Sequence, residues 1–257
     1  MAAELFEIVD RTDTGLVRQA NEDAVAIHIP LGLVLLADGM GGAAAGEVAS
    51  QLAVEGAFHH LAARAADAEP SAESDEALLR DAVRAANRSI RNAAREVRDF
   101  RGMGTTIVIG LLRPRHLSFA HVGDSRLYRL RHGRLERLTR DHSLIQEVLD
   151  EGVFDTLEDA RQAGVSENVL TRALGTDAQV EVDVASTPIL QGDVYLFCSD
   201  GLYNMLDERL LQVEMEKGRD DLERLADRLL EMACYRGGND NVTLVLARRL
   251  HWDGTRH

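Results

Sequence analysis

Apolar positions follow two rhythms along this chain. Over residues 75–100, Leu79, Val83, Ala86, Ile90, Ala93 and Val97 recur at steps of four and three with arginines and acids opposite them, which predicts an amphipathic helix. Ser74, Asp75 and Glu76 suit its start. The alanine-rich, proline-free stretch 43–66 predicts a helix to pair with it. Two more helices are expected over 207–216 and 220–235, the second with Leu222, Leu225, Ala226, Leu229 and Ala233 on one face. Strand character appears over 4–11, 23–29, 33–37, 105–112, 116–122, 125–130, 134–138, 179–187, 193–199 and 241–249. Because strands come in runs with no helix between successive ones, the expected class is α+β, an antiparallel sheet with segregated helices. Residues 67–74 read as a loop, and 141–168, polar and helical with Gly152 and Gly164 inside it, as a flap over the site.

The strand ends carry the candidate chemistry. LVLLADGMGG ends an apolar run on Asp38, and Gly39, Gly41 and Gly42 allow close approaches that a Cβ would forbid. Alone, Asp-Gly after a strand is a frequent turn. The device recurs, however: HLSFAHVGDSR ends on Asp124, DVYLFCSDGL on Asp200, and GGNDNVTLVLARR places Asp240 just before a strand. Four carboxylates converging without partners would repel one another and raise one another's pKa. Divalent cations would remove that conflict, and an oxygen-only donor set suits Mg²⁺ or Mn²⁺ rather than zinc. Near the N-terminus, RQANED brings Arg18, Glu22 and Asp23 together. This is either a surface ion-pair cluster or a guanidinium for phosphate beside a carboxylate that holds metal-bound water.

Composition limits the partners. The 257 residues are enough for a substantial core, and with no linker or repeat they are expected to form a single domain over 1–257. A formal net charge of −14 argues against nucleic acid and anionic membranes as partners, and means that bound cations and an arginine must invert the local field for a phosphorylated substrate. No apolar run approaches the length of a membrane span and the first ten residues do not read as a signal peptide, so a cytoplasmic protein is expected. Cys198 and Cys234 are too few for a disulfide framework, and Cys198 reads as a small buried hydrophobe.

Eight motifs in order (RQANED, ADGMGG, GMGTT, HVGDSR, RDHS, LTRALG, CSDGL and GGNDNVT) make nearly the whole chain resemble the metal-dependent protein phosphatases, protein phosphatase type 2C, and in particular the compact bacterial type. That resemblance implies a sandwich of two antiparallel sheets flanked by helix pairs. It also implies that Asp38 bridges two Mg²⁺ or Mn²⁺ ions, that Asp200 and Asp240 complete one, and that the Gly39 carbonyl and a water held by Glu22 serve the other. Asp124 would serve an additional, weaker metal, and Arg18 would bind the substrate phosphate. A water between ions roughly 3.5–4 Å apart would be acidic enough for in-line attack on phosphorus. The expected activity is hydrolysis of phosphoserine and phosphothreonine in proteins, opposing a Ser/Thr kinase, by a monomer. A non-catalytic phosphoprotein-binding module on the same fold is the alternative. Some family members carry a histidine two positions after the equivalent of Asp38, where this chain has Met40. The general acid is then unassigned, with a metal-bound water as first candidate and His142 as second.

Overall fold

The run at 33–37 lacks polar alternation because both of its faces are covered. In the computed structural model, which describes residues 5–64 and 71–250, Leu33, Leu35 and Ala37 pack beneath helices, whereas Val34 and Leu36 enter a core between two sheets. In chain order the elements begin with β1 (Phe6–Asp13), β2 (Asp23–His28), β3 (Leu33–Met40), α1 (Ala43–Ala62) and α2 (Ala72–Glu96). Next come β4 (Gly104–Thr105), β5 (Ile107–Leu112), β6 (His116–Val122), β7 (Arg126–Arg131), β8 (Arg134–Arg137), α3 (Leu144–Asp150) and α4 (Leu157–Gln162). The chain continues with β9 (Asp183–Pro188), β10 (Val194–Cys198), α5 (Asp200–Tyr203), α6 (Glu208–Gly218), α7 (Leu222–Tyr235) and β11 (Val242–Arg249).

One sheet has the order β1-β11-β10-β7-β8 and the other β2-β3-β5-β6-β9, with β4 also on β3. Every pairing is antiparallel. Helices α1 and α2 cover the second sheet, α6 and α7 cover the first, and three apolar cores separate the four layers. On β10, Val194, Leu196 and Cys198 face the helices while Tyr195 and Phe197 fill the gap between sheets. Gly110 makes room there, since a Cβ would lie 2.4 Å from Phe197 Cζ. Burial pushes the Cys198 thiol well up, so it stays a protonated, apolar filler.

Several boundaries differ from the sequence expectation. Strand β3 continues through Asp38 to Met40, because β4 gives Gly39 and Met40 a ladder partner. Strand β9 begins at Asp183 and not at 179, as Val180 and Val182 are buried beside α1 and α2 without strand pairing. Helix α1 ends at Ala62, and residues 65–70, including much of the expected loop, lie outside the described residues, as does Glu4. Helix α2 begins three residues early because Ser71 and Ser74 form a capping box, each side-chain oxygen 3.1 Å from the other's backbone nitrogen. It ends at Glu96, and residues 98–100 form a separate 3₁₀ turn.

Asp75 therefore falls in the first turn of α2 and not on a solvated face. It is fully buried, accepting from Arg113 at 2.7 and 3.0 Å, with His116 Nε2 2.9 Å away. This ties α2 to the β5–β6 hairpin, and removing one partner strands a buried charge. Asp75→Asn is expected to lower stability by about 3 kcal/mol in urea unfolding; a loss below ~1 kcal/mol would show that Arg113 finds solvent at little cost.

Candidate metal centre

Antiparallel pairing of β2 with β3 sets Asp23 directly opposite Asp38. Like charges in that position destabilise a ladder unless something intervenes. The backbone of Asp38 is fixed by the GMGTT segment: its N–H donates to Thr106 Oγ1 at 3.0 Å, and its carbonyl accepts from Thr106 N at 2.9 Å and Thr105 Oγ1 at 2.8 Å. Thr106 Oγ1 in turn lies 2.7 Å from Ser125 Oγ, so the residue after Asp124 is anchored to the same point. Gly123 (φ 100°) permits this approach, because its Cβ would lie 2.7 Å from Thr106 Cβ.

Asp200 opens α5 at the end of β10, and Asn204 Nδ2, one turn later, donates to its Oδ2 at 3.2 Å. Ser199 Oγ donates to Asp23 Oδ2 at 2.8 Å and accepts from Thr243 N at 3.0 Å. Asp240, two residues before β11, accepts from Asn241 N at Oδ1 (2.9 Å) and from Arg18 Nη2 at Oδ2 (2.7 Å). Asn241 arranges the loop that carries Arg18 and Glu22: Nδ2 donates to the carbonyls of Thr14 and Ala20, and Oδ1 accepts from Glu22 N at 2.8 Å. Glu22 leans on Gly46 of α1, where a Cβ would fall 1.7 Å from Oε2. Gly39 sits between the same two segments, its N–H donating to the Glu22 carbonyl at 3.1 Å. Sequence reasoning left Gly46 and Asn241 without roles, although both stand inside or beside the motifs singled out.

Burial and neighbouring charges raise several of these acids. Burial, then the charges of Asp23, Asp200, Asp124 and Asp240, hold the Asp38 carboxyl well above its ordinary range. Asp200 is pushed up to about 7, first by burial and then by Asp124, Asp240 and Asp23, while a hydrogen bond with Asp38 works the other way. Burial foremost brings Asp124 and Asp23 to about 6. Glu22 is raised mainly by burial and Arg18 by its bond to Asp240. Asp23 Oδ1 is buried without a hydrogen-bond partner. An all-oxygen cluster of mutually repelling acids with an orphaned oxygen beside it fits hard divalent cations.

His142, the second candidate for the general acid, lies outside the acidic cluster. It is buried, stacks on His121 with ring centroids 4.7 Å apart, and accepts Gly123 N–H at Nδ1 (3.1 Å). That donor assigns its proton to Nε2, which faces Asp183 Oδ2 at 3.3 Å. Among the described residues, His121, His142 and Asp183 are the one trio whose ligand atoms all lie within 4.8 Å of one another. Asp38, Asp200 and Asp240 do not close to that limit, with Asp240 engaged by Arg18. The histidine trio is a poor metal site: the His142 Nδ1 lone pair is occupied, and the Arg172 guanidinium lies 3.0 Å from Asp183 Oδ1. Nor does His142 reach the acids' cleft. That cleft, of about 710 Å³, is lined by Asp124, Asp200, Tyr203, Arg236 and residues of the 141–168 segment, and among the described residues it holds no histidine. The segment's root is closed by the Ser143–Leu170 bridge and by Leu144 N donating to the Val169 carbonyl at 2.8 Å.

The chain matches the family model for protein phosphatase 2C over residues 16–233. It belongs to that family. The serine/threonine phosphatase stp of Listeria monocytogenes is 39% identical over 244 residues, 93% of this chain and 94% of that protein. The serine/threonine protein phosphatase PstP of Mycobacterium tuberculosis is 41% identical over 244 residues, which are 95% of this chain and 45% of PstP. A crystal structure of the M. tuberculosis PstP/Ppp superimposes with a TM-score of 0.85 at 39% identity, covering 96% of this chain and 100% of that one. The PstP catalytic domain, in complex with two manganese ions, gives a TM-score of 0.83 at 38% identity, covering 96% and 99%. The α+β class and the two-sheet sandwich are thus those of solved phosphatases of this family.

The raised acids determine how stability responds to pH. Their folded-state values lie above the unfolded value of about 3.9, so between pH ~4 and ~7 the native chain binds more protons than the unfolded one and loses stability as pH rises. The urea midpoint in EDTA is expected to be higher at pH 5 than at pH 8, and Mn²⁺ to raise it more at pH 8. A midpoint that climbs with pH in EDTA would contradict these shifts.

Proposed function

We propose that the chain is a metal-dependent protein serine/threonine phosphatase whose Asp38, Asp200 and Asp240 carboxylates and Gly39 carbonyl hold two Mg²⁺ or Mn²⁺ ions. Glu22 contributes through a water, and Asp124 serves a third ion. The observation that carries this reading is the pair of carboxyls at Asp38 and Asp200, raised by burial and by the charges of Asp23, Asp124 and Asp240 around them, with Arg18 bound to Asp240 beside them. The family membership and the manganese bound to the PstP catalytic domain support it. An intact set of acids also disfavours the non-catalytic alternative.

When bound, the ions lower the pKa of coordinated water towards neutrality and offset phosphate charge. The chain's own groups do the rest. Asp38, held at its backbone by Thr105 and Thr106, keeps its carboxylate fixed between the sheets' ends. Arg18 is half exposed, so its guanidinium can exchange Asp240 Oδ2 for a substrate phosphate once that carboxylate is engaged elsewhere. Asn204 and Asn241 hold Asp200 and Asp240 in orientation by direct hydrogen bonds. Met40, whose methyl packs at Gly104, offers no proton to a leaving alkoxide, and His142 faces away into its contacts with Gly123 and Asp183.

The substrates on this reading are phosphorylated proteins, including those of an opposing Ser/Thr kinase, met by a cytoplasmic monomer in a single domain over 1–257. No described helix is long and apolar enough to cross a membrane. EDTA is expected to abolish hydrolysis of p-nitrophenyl phosphate and of a phosphothreonine peptide, with Mn²⁺ or Mg²⁺ restoring both. Losing a bridging ligand should exceed the 10–100-fold typical of outer-shell changes, so Asp38→Asn should reduce kcat by more than about 100-fold and Asp124→Asn by less. Full activity after exhaustive dialysis against EDTA, or equal mild losses in the two variants, would overturn the assignment.

A further inference from the structure

The cleft beside Asp124 and Asp200 is larger than one phosphorylated side chain requires, and its cations are unevenly matched. Four guanidiniums line it: Arg126, Arg137, Arg161 and Arg236. Arg126 takes Asp141 at 2.6 and 3.0 Å with its guanidinium carbon 3.5 Å over the Tyr203 ring. Arg137 lies 3.2 Å from Asp141 and 4.0 Å from Glu208. Arg161 is bidentate to Glu167 at 2.5 and 2.7 Å.

Arg236 stands apart. It follows α7 as the C-cap residue, is exposed, and donates from Nη1 to the Met205 carbonyl at 3.3 Å. No carboxylate among the described residues pairs with it. Two acids of the lining have other contacts: Asp207 caps α6, accepting from Leu210 N, and Glu208 accepts from Tyr128 and faces Arg137. Asp200, which lines the cleft, acts electrostatically on Arg18 and is itself raised by the charge of Asp240, so the cleft adjoins the phosphate-binding region. With the metal-binding acids neutralised by cations, Arg236 is the one guanidinium of the lining that has no carboxylate partner among the described residues. In a chain of net charge −14, that is an unusual place to leave a cation unmatched.

We infer that Arg236 binds a second anionic group on the substrate, a carboxylate or another phosphate close to the phosphorylated residue, and so makes the enzyme favour phosphopeptides with negative charge around the scissile ester. The inference rests on the phosphatase reading above. A guanidinium can take either anion through two parallel N–H donors. The long bond to Met205 leaves Nε and Nη2 for that purpose and holds the head group at the wall. A purely local role is the competing account, since a cation at a helix C-terminus also complements the macrodipole.

The test compares three phosphothreonine peptides: one with neutral flanks, one with glutamates on both sides, and one with a second phosphorylated residue nearby. Wild-type enzyme is expected to show kcat/KM about tenfold higher on at least one anionic peptide than on the neutral one, as one charge-assisted contact allows. A gain on both anionic peptides identifies a general anion site, and a gain on one identifies which source fits. Arg236→Gln keeps an amide donor for Met205 while removing the charge. It should raise KM on the favoured peptide about tenfold, leave KM on the neutral peptide within about twofold, and leave kcat on both nearly unchanged. Arg236→Lys should restore part of the preference. Equal wild-type rates on all three peptides, or a parallel loss on all three in Arg236→Gln with a lowered melting temperature, would overturn the inference and leave the phosphatase reading standing. Absence of phosphate release from every peptide by wild-type enzyme would overturn both.

Discussion

Two aspartates facing each other across an antiparallel ladder set the terms for the rest of this structure. Asp23 and Asp38 are paired by backbone register, so they cannot move apart without breaking β2 from β3. Asp200, Asp124 and Asp240 add their fields to Asp38, and burial denies Asp38 the screening that would make the crowding tolerable. Protons relieve it at low pH, Arg18 relieves it at Asp240, and on the reading proposed above divalent cations would relieve it further. The same crowding that costs stability in the bare chain would, on that reading, favour the binding of hard cations.

The sandwich exists to hold those acids in place. Residues that alternate between two cores fix β3, β10 and β11 so that their ends arrive together, and short hydroxyl bridges knit the ends into one unit. Thr106 joins Asp38 to the segment of Asp124, and Ser199 joins Asp23 to β11. Glycines remove what would otherwise collide: Gly46 for the Glu22 carboxylate, Gly123 for Thr106, and Gly15 for the Asp240 carbonyl, which a Cβ would approach to 2.2 Å. Function here depends on close approaches between backbone segments distant in sequence, which explains why glycine, threonine and asparagine recur through the motifs.

What the sequence disclosed was whatever depends on local pattern. The apolar runs ending on Asp38, Asp124 and Asp200 were readable because a buried strand needs such a run and an acid ends it abruptly. The order of strands without intervening helices gave the layered class for a similar reason. The place of Asp75 at the start of a helix is legible in the sequence, but its burial is not, because that depends on Arg113 and His116 arriving from a hairpin some forty residues away. The burial of His142 depends likewise on Gly123 and Asp183, and the role of Gly46 on a carboxylate from a different loop. Periodicity reports which face of an element is apolar; it does not report which polar residue on that face will find a partner across the fold.

The central claim is that proton-retaining acids are the metal ligands. Calorimetric titration of Mn²⁺ into EDTA-stripped protein at pH 7, repeated in two buffers of different ionisation enthalpy, measures ions bound and protons released together. Because Asp38 is held well above its ordinary range and Asp200 at about 7, binding of at least two ions should release roughly one proton or more per chain. Binding of a single ion, or of two with no proton released, would contradict the account.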